Sequence, residues 1–350
     1  MNNVKNFRIL ILLFLALLTI QSCDNDELYI DEDGFADNQS EYYDDNDDSN
    51  SDSEDDYSEN ENDDYDDFDS DSGSEGGSGE ITLYTVSGSD IVKEKDYQVS
   101  GKSLDFQKDV AKHQEIWELT KKIIPANYLA KMSRFLIFAG EGDGTAGYVL
   151  ETKSDLSKWE MGIAIDFAYE GGFNADGELA YTIIHEFGHI LTLEIAQVDA
   201  SITANNCSNY FTGEGCARKE AYINKLQTRY WADIAEEHLN IGDDYDKQDA
   251  FYSKYQDRFV TNYASTNPGE DIAEVFATFV TRNGGANGNS IAEQKIQLMY
   301  DHAELNSLRD FIRGNMSSAK GKRALPIAGS WKQAKKYGNS KNSHCTKHSK

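Results

Sequence analysis

Along residues 81–350 the spacing of apolar positions changes character partway through the chain. Gln107–Ile124 (QKDVAKHQEIWELTKKII) sets Val110, Ile116, Trp117, Leu119, Ile123 and Ile124 at helical spacing and stops before Pro125. Arg134–Ala139 (RFLIFA), Gly144–Leu150 and Glu160–Phe167 (EMGIAIDF) read as strands separated by polar turns. Asp176 is placed to cap a helix over Gly177–Ile195. Helical patterns then cover Ala217–His238, Asp246–Val260, Pro268–Arg282 and Ile291–Met316. Strands followed by helices predict an α+β domain, and no internal repeat is present. Residues 81–110 are also a candidate pro-segment that would block a cleft.

The chain ends break this pattern, and charge explains how. Residues 24–80 hold 26 of the 62 acidic residues and no Lys or Arg. Lys5 and Arg8 lie before them, which leaves 36 acids against 31 bases in residues 81–350. The formal charge of −29 therefore belongs to one segment, and the remainder is close to neutral. An acidic chain argues against nucleic acid as a partner. Residues 23–80 cannot bury enough apolar area to offset their ordering entropy, so a disordered acidic linker is expected there. Residues 318–350 carry nine Lys and Arg and no acid, and read as a flexible basic tail.

Ahead of the linker, Lys5 and Arg8 lead into the apolar run Ile9–Ile20, which is too short to span a bilayer and fits a signal-peptide core. The following Ile20-Gln21-Ser22-Cys23 resembles a bacterial lipobox. That resemblance implies a signal peptide over 1–22 and a lipid on Cys23, the first residue of the mature chain. The domain over 81–317 would then work in the cell envelope. Acidic residues at 24–27 resemble export signals that send some lipoproteins to the outer face of the outer membrane. An ordinary secretory signal is the alternative.

Within the helix predicted at Gly177–Ile195 lies TIIHEFGHIL, an apolar stretch interrupted by His185, Glu186 and His189. Histidines four apart share one helix face, one turn from each other. Two imidazoles so placed can bind one zinc ion, and a glutamate beside the first can take a proton from a zinc-bound water. The alternative is two hydrogen-bonded histidines and a solvated Glu186. A catalytic zinc needs a third protein ligand. Thr192 and Ile195 stand where the metzincin pattern has Gly and His, so that class is excluded.

In Tyr263–Phe276, Asn267 is placed to cap a helix that begins at Pro268, and Glu270 and Glu274 share a face. Read alone, Glu270 is the acid of a capping box and Glu274 is solvated. Y-x-x-x-N-x-x-E-x-x-A-E-x-F downstream of HEFGH resembles the peptidase domain of the anthrax lethal factor type, within the gluzincins. The resemblance covers these two helices and the tyrosine turn. It implies zinc bound by His185, His189 and Glu270, Glu186 as general base, and Tyr263 as donor to the oxyanion. Glu274 would orient one of the two histidines. The implied fold is zincin-like: a mixed sheet packed on the active-site helix, then a mainly helical part. Its edge strand, expected at Glu160–Phe167, would take a peptide or protein substrate as an added strand.

The insertion between His189 and Glu270 contains Cys207 and Cys216, and a disulfide is expected between them in an exported chain. Cys345 would remain a free thiol. His113, His238, His302, His344 and His348 lack ligand spacing and are assigned to packing or surface. Two other readings remain: a surface binding module that keeps the zincin fold without hydrolysing, and a structural zinc site. The oligomeric state has no sequence signature.

Overall fold

The computed structural model describes residues 79–142, 144–173, 175–242 and 244–316. The expectations for residues 1–22, Cys23, the acidic linker up to residue 78 and the basic tail, with its Cys345, His344 and His348, fall outside these residues; Glu80, the last residue of the expected linker, opens the first strand.

The strands are β1 (Glu80–Ser87), β2 (Asp90–Asp96), β3 (Met132–Phe138), β4 (Gly147–Glu151) and β5 (Trp159–Ala164), with a short pair β6 (Val198–Asp199) and β7 (Cys216–Ala217). The helices are α1 (Gly101–Lys108), α2 (Val110–Ile123), α3 (Ala126–Leu129), α4 (Ile165–Ala168), α5 (Glu178–Leu193) and α6 (Tyr222–Tyr230). They continue with α7 (Ala235–Leu239), α8 (Tyr245–Lys254), α9 (Pro268–Thr281), α10 (Ile291–Tyr300) and α11 (Ala303–Met316). The architecture is α+β: a mixed sheet packed on the histidine helix, followed by a mainly helical part.

The sheet order is β2-β1-β3-β5-β4. Only β3 and β5 are parallel; the other pairs are antiparallel. Two expectations change. The edge beside the histidine helix is β4, and β5, which overlaps the predicted edge Glu160–Phe167 as far as Ala164, lies inside, between β3 and β4; Ile165–Phe167 begin α4 instead. Residues 80–96 form the β1–β2 hairpin, and β1 is an interior strand of the sheet, so this part of the candidate pro-segment 81–110 is built into the fold. Gly88, at φ 64°, makes the hairpin turn.

The period of two in β3 and β5 assigns the sheet faces. Phe135, Ile137, Met161 and Ile163 point into the main core with Ile116 and Trp117 of α2 and most of α5. Leu136, Phe138 and Ala164 face the other way, with Leu83 and the rings of Tyr97, Tyr148 and Phe167. Tyr148 lies flat across Gly162, its partner on β5; a Cβ on Gly162 would sit 2.2 Å from that ring. The turn from β3 toward β4 is held by Asp166, which accepts from the backbone N–H of Gly140 and Glu141, each at 2.9 Å. Cys207 and Cys216 form a disulfide next to the β6–β7 pair.

α5 and α9 form the centre of the domain. All of α5 but its first residue is buried, and all of α9 but Gly269. They touch where Gly188 faces Ala273: a Cβ on Gly188 would lie 3.2 Å from the Ala273 Cα and 3.3 Å from the Phe276 ring. The glycine inside HEFGH therefore permits the close helix contact that brings the acids of α9 to the histidines of α5.

Candidate metal centre

Asn267 caps α9 as its sequence predicts, accepting from the Glu270 N–H at 2.9 Å, with Pro268 in the first turn. The Glu270 carboxylate does not turn back to close a capping box. Fully buried, it reaches across to α5.

Its Oε2 lies 3.0 Å from His185 Nε2 and 3.4 Å from His189 Nε2. The two Nε2 atoms are 3.0 Å apart. Ligands about 2.05 Å from a tetrahedral zinc stand roughly 3.3 Å from each other, so this triangle has the size of one face of such a site. The donor set, two imidazoles and a carboxylate, is the type that catalytic zinc takes. Among the described residues these three form the group of His, Cys, Asp and Glu able to hold a metal ion.

His185 shows which nitrogen is available. Its Nδ1 faces Glu274 Oε1 at 2.8 Å, so that carboxylate holds the proton on Nδ1 and leaves the Nε2 lone pair for the centre. That nitrogen faces Glu270 Oε2 and the second imidazole, and donor atoms so arranged need a proton or a metal ion among them. Burial alone pushes the His185 pKa down, but Glu270 and Glu274 outweigh it and hold the imidazole well above its usual value. Burial likewise pushes Glu270 up, while His189 and His185 outweigh it and hold the carboxyl well below the usual range.

Tyr263 sits in a 3-10 turn, Tyr263–Ser265, just ahead of α9, and donates its hydroxyl to Glu270 Oε1 at 2.8 Å. Its ring centroid is 5.7 Å from that of His185. Glu186 is 6 % exposed and faces β4: its Cγ lies 3.4 Å from the position of a Cβ on Gly147. That same Cβ would stand only 2.6 Å from Thr182 Cγ2, so the bare glycine lets the edge strand lie against α5 beside Glu186.

The structure brings together His185, His189, Glu270, Glu274 and Tyr263, with Glu186 next to them on the strand side. The Cys207–Cys216 disulfide belongs to the β6–β7 loop. Two residues at the centre escape the sequence reading. Tyr181 donates to Glu274 Oε2 at 3.1 Å, and Thr261 donates to the same oxygen at 2.7 Å. Tyr181 precedes His185 by four, so helical spacing marks it; Thr261, in an irregular segment, has no such signal. The histidines assigned to packing behave so: His113 is fully buried between Tyr84 OH (2.6 Å) and the Phe106 carbonyl (3.1 Å), and His238 bonds the Thr266 carbonyl at 2.7 Å.

Neither a family model nor a curated protein matches the chain in sequence. One solved structure matches in shape, from Bacteroides caccae, with a description that proposes a zinc-binding metallo-peptidase. The TM-score is 0.31 and the identity 16%, over 64% of this chain and 82% of that one. A likeness that distant carries no weight for this chain.

Proposed function

We propose that the chain is a zinc-dependent metallopeptidase that hydrolyses peptide bonds, with one zinc per chain held by His185, His189 and Glu270. The observation that carries this reading is the triangle of donor atoms at 3.0, 3.0 and 3.4 Å, with Glu186 beside its first histidine. When bound, zinc supplies Lewis-acid polarisation of a carbonyl and lowers the pKa of water. Glu186 is the general base: it takes the proton of the attacking water and passes it to the leaving amine. Glu274 keeps the His185 proton on Nδ1. Tyr263 is the donor to the developing oxyanion, a role that requires its hydroxyl to leave Glu270 Oε1; such a donor contributes about 10²–10³ in kcat. Among the described residues β4 has a sheet partner on one side only, and a peptide substrate adds along its open side, from Gly147.

The test is zinc analysis of the purified full chain followed by digestion of a peptide library. The expected result is about one zinc per chain and cleavage that Glu186→Gln abolishes while zinc is retained. A chain without zinc, or a Glu186→Gln variant that cleaves like the parent, refutes the reading. The proposed location is the cell envelope, at the outer membrane, through a lipid on Cys23. Cys23→Ser would then move the protein from the membrane to the soluble fraction, and unchanged fractionation would remove the anchor from the proposal.

A further inference from the structure

We infer that Thr261 is a positioning residue that ties the candidate metal ligands to the turn carrying Tyr263. This inference rests on the metallopeptidase reading.

The Thr261 hydroxyl makes two bonds in opposite senses. It donates to Glu274 Oε2 at 2.7 Å and accepts from the Ala264 backbone N–H at 3.1 Å. A threonine hydroxyl has one hydrogen and two lone pairs, so both bonds form at once. Glu274 is fully buried. Its Oε1 holds His185 Nδ1, and its Oε2 takes the hydroxyls of Thr261 and Tyr181. The carboxylate cannot rotate without leaving those two donors, so they fix the plane in which it presents Oε1 to the imidazole.

The second bond acts on Tyr263. Ala264 is the middle residue of the turn Tyr263–Ser265, and its N–H is held by the oxygen that also grips Glu274. Tyr263 in turn reaches Glu270 Oε1. The contacts close a ring: Thr261 to Glu274, Glu274 to His185, His185 to Glu270, Glu270 to Tyr263, and the backbone back to Thr261. Each contact in that ring, the Ala264 N–H to Thr261 bond included, is between 2.7 and 3.1 Å. One hydroxyl therefore sets both the direction of the His185 lone pair and the reach of the Tyr263 phenol. Tyr181 touches only the first of these.

The experiment measures zinc affinity of the full chain by chelator competition for the parent, Thr261→Val, Thr261→Ser and Tyr181→Phe. Valine keeps the shape and removes both bonds; serine keeps both bonds. Thr261→Val is expected to bind zinc about 10–100-fold more weakly, as losses around metal-ligating histidines do, and Thr261→Ser within about threefold of the parent. With zinc saturating, Thr261→Val is expected to lose more kcat than Tyr181→Phe, which removes a donor to Glu274 and weakens zinc binding but leaves the turn untouched. Should Thr261→Val not fold, Thr261→Ala removes the same bonds without an added methyl and carries the same expectation. Parent-like zinc affinity in the valine or alanine variant, or serine binding as weakly as valine, overturns the inference. A parent chain that binds no zinc is a distinct result, and it overturns the metallopeptidase reading together with this inference.

Discussion

Replacing Lys295 by Met tests how α9 is held in place. Lys295 Nζ of α10 lies 2.5 Å from Asp271 Oδ2 of α9, and both side chains are 0% exposed. Trp231 Nε1 donates to the same oxygen at 2.6 Å, and the ammonium also stands 4.3 Å from the Phe259 ring centroid. Asp271 Oδ1 has no hydrogen-bond partner among the described residues. Methionine fills most of the lysine volume, so the change strands a carboxylate more than it opens a cavity. Removing one partner of a buried pair costs about 3–5 kcal/mol. For a domain of this size each kcal/mol moves Tm by about 2–4 °C, so the midpoint should fall by roughly 6–20 °C. The assay is thermal unfolding followed by far-UV circular dichroism. Removing both charges, with Asp271→Leu added to Lys295→Met, should recover most of the loss, because no charge then remains stranded. A single variant melting within about 2 °C of the parent, or a double variant as unstable as the single, would refute the reasoning.

Other outcomes follow from features away from that pair. Burial, with the Asp96 carboxylate, pushes the Tyr84 phenol up to about 12 from 10.0. Its contribution to stability is complete below pH 10 and is lost as pH rises through 12, so Tyr84→Phe should flatten the decline of the urea midpoint across that window; an unchanged slope would count against it. Gly147→Ala puts a methyl 2.6 Å from Thr182 Cγ2 and should lower peptide cleavage about tenfold or more while zinc content stays intact; unchanged cleavage would mean that the edge strand need not lie so close. Opening the disulfide by Cys207→Ser with Cys216→Ser should cost roughly 2–3 kcal/mol in urea unfolding, since the crosslinked loop is short, and no shift would contradict the chain-entropy account.

What the sequence made legible was local. α9 is readable because Asn267 and Pro268 mark its start, and α5 because its apolar positions recur at helical spacing around the histidine pair. β1 was not readable: it is buried on both faces, so it shows no alternation, and β2 is a charged edge with Ile91 as its one buried position. The pattern over Ile291–Met316 predicts one helix, but the chain breaks at Asp301–His302. No Gly or Pro marks that break, and the apolar spacing continues across it through Met299, Leu305 and Leu308. Similarly, Ala217–His238 contains two helices, interrupted after Tyr230. The sheet order depended on a chain crossing, which the alternation of single strands does not record. A signal for it did exist, because MGIA in β5 is a nearly unbroken apolar run, as interior strands are, whereas GYVLE in β4 is not. At the candidate metal centre the donor residue types and their spacings were legible. Of the hydroxyls that hold Glu274, Tyr181 had a signal in its spacing from His185, but Thr261 had none, because a threonine in an irregular segment looks like any other.

The placement of β4 gives the domain a natural point of opening. Among the described strands it is bonded to β5 alone, with five paired positions, while β5 is anchored on its other side by β3. Detaching β4 leaves the four remaining strands and both central helices intact. Local excursions of that kind need far less free energy than global unfolding. The amide protons of Gly147–Glu151 should therefore exchange with deuterium sooner than those of Met161–Ile163, and the wall beside Glu186 can swing aside without melting the body that carries it.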